Sequence, residues 1–267
     1  MTTPTIAITA PVGPATGAAD APLLVLGPSL GTSTIVWDTT VPRLVEHYRV
    51  AAWDLPGHGR APAPTESFTV GDIADAVAGA IREITGGPVH YAGVSLGGAV
   101  GLELMLRHPD LVNAAAIVCS GAKIGEPPGW YERAAAVRTM GTASLVIGAA
   151  GRWFAPGSIA VHPDLTGRLL HALRDTDDAA YAWCCDALAQ YDVRDRLADI
   201  AVPVLALWGA HDEVTPEASA RQIADGVRDG RAVGIPDASH LAPVDDPDAV
   251  AAALVEFFRA HTPEEDG

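Results

Sequence analysis

Val89-His90-Tyr91-Ala92-Gly93-Val94-Ser95-Leu96-Gly97-Gly98 reads as a short apolar strand that ends on a serine with glycines on both sides. A helical pattern rich in small residues follows from Gly97 to Arg107 and stops at His108-Pro109. A serine nucleophile on a sharp strand-to-helix turn needs this arrangement. The turn is strained, and Gly93 and Gly97 stand where a side chain would collide with neighbouring backbone. Such a turn holds the Ser95 hydroxyl out where an acyl carbon can reach it. The Leu96 amide, in the first turn of the helix, then faces any oxyanion that forms.

Outward from this elbow, short apolar runs alternate with helical patterns. Ile6 to Thr9 reads as an edge strand, and Leu23 to Leu26, Tyr48 to Trp53, Ala114 to Cys119, Val202 to Trp208 and Arg231 to Ile235 read as further strands. Val70 to Ile84 carries apolar residues at three-four spacing and is an amphipathic helix; another helix spans Asp248 to Ala260. Strands alternating with helices predict a mostly parallel sheet covered on both faces. The rhythm breaks between about Ala122 and Tyr191. That stretch has no buried-strand run and carries Trp130, Tyr131, Trp153 and Trp183, as a helical cap inserted over the sheet would. The expected division is therefore a core of residues 1–121 and 191–267, with a cap at 122–190. Low complexity is confined to the Ala/Gly/Pro-rich loop near residues 10–21 and the polar tail 261–267.

Two more strand ends carry titratable side chains. Val204 to Trp208 runs into Gly209-Ala210-His211-Asp212-Glu213, and Ile235-Pro236-Asp237-Ala238-Ser239-His240 follows the last strand. Serine is a weak nucleophile unless a base takes its proton, and His240, in the loop after the last strand, is a candidate for that base. An acid is then needed to fix the imidazole tautomer. Asp212 fits that place, with Glu213 and Asp237 as competitors. His211 and His58 read as structural, and Asp54 as a hydrogen-bond acceptor for its own loop.

The order Ser95, Asp212, His240 resembles the α/β-hydrolase triad, and Trp53-Asp54-Leu55-Pro56-Gly57-His58-Gly59-Arg60 resembles that family's turn after an early strand. The resemblance implies an α/β fold with a mostly parallel eight-stranded sheet, flanking helices and an inserted helical cap. It also implies a second oxyanion donor in the loop Gly27 to Thr32: the Leu30 amide, with Ser29 and Gly31 as alternatives. Further segments resemble the 3-oxoadipate enol-lactonases. These are Ser29-Leu30-Gly31-Thr32 with Trp37-Asp38, Gly121 to Gly125, Trp130 with Arg133 and Val137-Arg138, Tyr181 to Leu188, and Asp192-Val193-Arg194. The enzyme this implies opens a small enol-lactone that bears a carboxylate, without a cofactor or metal. Lys123 and Arg133 are then candidates to pair that carboxylate, and Trp130 to form a wall.

The chain has 267 residues, 49% of them hydrophobic and 19% charged, enough apolar material for a large core. Its formal charge of −16 argues against nucleic acid and anionic membranes as partners. A small-molecule ester or lactone is the expected partner, and the sequence leaves the oligomeric state open. No run approaches the ~20 apolar residues of a membrane span, and the start carries no basic leader. Three cysteines without metal-like spacing fit a reduced, cytoplasmic setting. The adjacent pair Cys184-Cys185 reads as part of a buried helical face rather than a redox bond.

Overall fold

A computed structural model describes residues 3–14 and 21–262. Residues 15–20 of the low-complexity loop and 263–267 of the polar tail lie outside the described residues, as do residues 1–2. The described residues form one sheet of seven strands: β1 (Ala7–Ile8), β2 (Leu23–Gly27), β3 (Arg49–Asp54), β4 (Val89–Val94), β5 (Val112–Val118), β6 (Val204–Gly209) and β7 (Gly230–Ile235). Their order is β1-β3-β2-β4-β5-β6-β7, with only β1 antiparallel to its neighbour.

The eighth strand expected from the resemblance is absent among the described residues. The first segment pairs Ala7 with Asp54 and Ile8 with Trp53, then meets β3 again at a single Val12–Val50 bridge. Pro11 and Pro14 lie on either side of Val12 and lack the amide that a ladder requires, so that pairing shrinks to one bridge.

Among the described residues, eight helices of eight residues or more surround the sheet or extend from it: α1 (Val70–Ile84), α2 (Leu96–Arg107), α3 (Pro127–Met140), α4 (Val146–Trp153), α5 (Pro163–Asp175), α6 (Asp178–Gln190), α7 (Glu217–Gly226) and α8 (Pro247–Ala260). Helix α1 starts where it does because Thr69 and Asp72 cap each other. The Asp72 amide donates to Thr69 Oγ1 at 3.1 Å, and the Thr69 amide donates to Asp72 Oδ2 at 2.9 Å. Its buried face, Val70, Ile73, Ala74, Val77 and Ile81, is the one that the spacing predicts. Strands β2 and β4 are buried along their whole length, as central parallel strands must be when both faces are covered. Residues 122–190 contain helices and turns with no strand. Cys184 and Cys185 lie buried and unbonded on α6.

The chain leaves β2 toward β3 on one side and returns to β4 on the other. In an open parallel sheet, that reversal leaves a crevice beyond the carboxyl ends of the strands. Ser95 follows β4 at this place, and the loop after β2 borders it.

Candidate active site

Ser95 sits between β4 and α2 with φ 55° and ψ −115°, a conformation that residues with side chains rarely adopt. Close packing enforces it. A Cβ on Gly93 would lie 2.3 Å from the Gly97 carbonyl oxygen, and one on Gly97 would lie 2.7 Å from backbone atoms of Gly27 and Pro28. Hydrogen bonds hold the same atoms. The Ser95 amide donates to Val118 O at 2.9 Å, the Gly97 amide to Pro28 O at 2.9 Å, and the Tyr91 hydroxyl to Gly97 O at 2.7 Å. The elbow is thus welded to the loops after β2 and β5. Among the described residues no acceptor takes up the amides of Leu30 or Leu96, which lie in the two segments this packing brings together.

His240 follows β7 and is buried, as is Asp212 after β6. His240 Nδ1 lies 3.0 Å from Asp212 Oδ2, which also accepts the Thr215 hydroxyl at 2.7 Å. Asp212 Oδ1 accepts the amides of Val214 and Thr215 at 2.8 and 3.1 Å. Burial alone would push this carboxyl up. The His240 ring and the Thr215 donors outweigh burial and hold it at about 2. Asp212 is therefore ionised at neutral pH and fixes Nδ1, which leaves Nε2 as the ring nitrogen without a protein partner. Of the competitors, Glu213 and Asp237 are both exposed.

Ser95 and His240 line one cavity of about 220 Å³ together with Leu30, Trp130, Arg133 and Arg152. No hydrogen bond joins the Ser95 hydroxyl to His240 in this structure. The far wall comes from residues 122–190. Arg133 lies 4.9 Å over the Trp130 ring, whose Nε1 donates to Ile124 O at 2.5 Å. Among the described residues, no carboxylate lies within ion-pairing distance of Arg133 or Arg152. The Arg152 guanidinium is held below its ordinary value, by burial first and by the Arg133 charge second. The one acid in the cavity wall among the described residues, Glu126, is paired to Lys123, so the two arginines face the cavity with no acid of their own and make a site for an anion. No group of three or more His, Cys, Asp or Glu among the described residues is placed to hold a metal ion.

The family profile described as alpha/beta hydrolase fold matches residues 22–247. The chain belongs to the alpha/beta hydrolase family. Among its relatives in that family, 3-oxoadipate enol-lactonase 2 of Acinetobacter baylyi is 33% identical over 233 residues, 87% of each chain. A pimeloyl-[acyl-carrier protein] methyl ester esterase of Neisseria meningitidis is 31% identical over 244 residues, 89% of this chain and 77% of its own. The solved enol-lactonase from Burkholderia xenovorans LB400 superposes with a TM-score of 0.90 at 31% identity, covering 95% of this chain and 96% of its own.

Within this alpha/beta hydrolase, the residues singled out from sequence part ways at the carboxylate candidates. Trp130 and Arg133 line the cavity, whereas Lys123 does not: its ammonium pairs with Glu126 at 2.6 Å. The two residues lie in the loop just before α3. The sequence does not single out Arg152 or Thr215. Arg152 acquires its place only when α4 folds over the sheet edge. Thr215 carries a weaker signal, a hydroxyl three residues after an acid in a loop, the spacing of an Asx turn. His58 and Asp54 hold the early turn together. His58 Nδ1 lies 2.9 Å from Pro56 O in its own turn, and Asp54 accepts the Thr34 and Arg60 amides at 2.7 and 3.0 Å. No helix among the described residues is long and apolar enough to cross a membrane.

Proposed function

We propose that this protein is a serine hydrolase that opens a small carboxylate-bearing lactone, 3-oxoadipate enol-lactone, with residues 122–190 as its cap. One observation carries the reading: a single small cavity holds Ser95 and His240 together with Arg133 and Arg152, while the acid in its wall, Glu126, is taken by Lys123. The names of the relatives support the same substrate.

Ser95 Oγ attacks the ring carbonyl carbon while His240 Nε2 takes its proton. The amides of Leu30 and Leu96 hold the resulting oxyanion. Collapse breaks the ring C–O bond. The departing enol oxygen takes the proton from His240, and the enol becomes a ketone. A water molecule then attacks the acyl-enzyme, gives its proton to His240, and releases 3-oxoadipate with Ser95 restored. Asp212 stabilises the imidazolium at both stages. An enol oxygen leaves readily, so the protein mainly supplies orientation and oxyanion stabilisation. Arg133 and Arg152 pair the substrate's side-chain carboxylate, which would be costly to bury alone.

Esters on long acyl arms, as the name of the 31%-identical esterase describes, fit this cavity less well. Its volume of about 220 Å³ lies below the roughly 300–1,000 Å³ of sites for drug-sized ligands. The test is ring opening of the enol-lactone, followed by absorbance, beside hydrolysis of p-nitrophenyl esters. The wild type should favour the lactone in kcat/KM, and Ser95→Ala should lose about 10⁴-fold or more on both. Equal rates for wild type and Ser95→Ala would end the reading.

A further inference from the structure

We propose that Asp245 is a positioning residue that fastens the His240 loop to the cavity wall, so that substrate seated on that wall meets a base already in line. This inference rests on reading Ser95 and His240 as the reacting pair.

Asp245 lies five residues after His240. Its Oδ2 accepts two amides from distant parts of the chain: Ser239, next to His240, at 2.8 Å, and Ala155, just after α4, at 3.0 Å. The same two segments are stitched twice more. The Leu241 amide donates to Trp153 O at 2.9 Å, and the Ser239 hydroxyl reaches Arg152 O at 3.4 Å or His211 O at 3.1 Å. The neighbours of His240 on both sides are therefore tied to residues 152–155. Within that stretch, Arg152 and Trp153 project side chains into the cavity. The loop bearing Asp212 joins the same knot: the His211 amide donates to Ala238 O at 2.9 Å, and Gly209 packs so closely that a Cβ would sit 2.4 Å from Ser239 O.

A carboxylate suits this task because one oxygen offers two lone pairs and no proton. It can satisfy both amides at once, where a hydroxyl would have its own proton to place. Ordinary helix capping does not account for Asp245. The cap of α8 is Asp246, whose Oδ1 accepts the Ala249 amide at 2.9 Å. Asp245 also sits at a cost: burial pushes its carboxyl up, against the pull of the Ser158 hydroxyl and of the Ser239 and Ala155 amides. Rigid coupling of wall to base lets contacts with the non-reacting part of the substrate act at the reacting centre.

The test uses two readouts on the purified full chain: the rate at which a fluorophosphonate labels Ser95, and steady-state opening of the enol-lactone. Labelling depends on the Ser95–His240 pair but on no particular substrate. Asp245→Ala should slow labelling and lower kcat by about tenfold or more while KM changes less than about threefold. Asp245→Asn keeps a carbonyl oxygen for both amides and should stay within about threefold of wild type in both. A folded Asp245→Ala that labels at the wild-type rate overturns the proposal. Equal slowing in the Ala and Asn variants also overturns it, because charge rather than the double acceptor would then matter. Should Asp245→Ala fail to fold, Asp245→Ser, too short to bridge the two amides, takes its place with the same expectation. If the wild type labels but leaves the lactone intact, the lactone reading fails while the labelling rates still decide on Asp245. If the wild type does not label at all, the reacting pair falls and this proposal with it.

Discussion

Ser95 stands in a left-handed backbone conformation worth about 1–3 kcal/mol of strain, which the packing around it must offset. That packing leaves no room for a methyl group at Gly97, whose missing Cβ would press on backbone rather than on a movable side chain. Gly97→Ala should therefore cost about 1–3 kcal/mol in urea unfolding and displace the serine enough to reduce turnover severely. Unchanged stability and rate would show that the elbow has slack. Asp212→Asn keeps the shape of the acid but removes the charge that fixes His240 Nδ1, and kcat should fall by about 10³–10⁴-fold with the fold intact. A loss below tenfold in steady-state kinetics would mean that another group orients the imidazole. At this scale the sequence was most legible. Ser95, Asp212 and His240 each sit where an apolar run stops, and the rules that place them are local. Nothing within its own helix marks Arg152, because its setting is made by residues far along the chain.

Among the elements, the three-four apolar spacing marks the span of α1, and the caps explain its start. Thr69 and Asp72 begin α1 at the residue expected, and Thr69→Ala should cost about 1 kcal/mol, measured by urea titration, with little effect on turnover. The resemblance implies eight strands where the described residues form seven, because Pro11 and Pro14 reduce the second pairing of the first segment to one bridge. Helix α3 brings Arg133 to the cavity, and the sequence pointed to that residue through the family likeness rather than through periodicity. Arg133→Ala should lower kcat/KM for the carboxylate-bearing lactone by roughly 10–100-fold, the worth of one charge-assisted pair, and leave a neutral p-nitrophenyl ester nearly untouched. Equal losses on both substrates would show that Arg133 shapes the wall without contacting the carboxylate.

For the whole molecule, two buried imidazoles contribute to the response to acid between about pH 6.5 and 4. His58, stacked on Tyr181, and His90, stacked on Phe258, are both pushed down to about 4, chiefly by burial. The unfolded chain takes up protons at these rings near pH 6.5 while the fold refuses them. Stability should thus be full above about 6.5, fall by up to ~1.4 kcal/mol per pH unit for each ring, and lose nothing more from them below about 4. Urea midpoints at several pH values check this, and His90→Gln should flatten the slope by about half. A slope unchanged in that variant would place the acid sensitivity elsewhere. The backbone stitches between residues 152–155 and the His240 loop bear on any attempt to build chimeras. Transplanting the helical excursion from another hydrolase would import a new specificity together with new anchor points. A graft that fails to present an amide at 155 and carbonyls at 152 and 153 would leave the recipient's base unmoored, whatever pocket it brought.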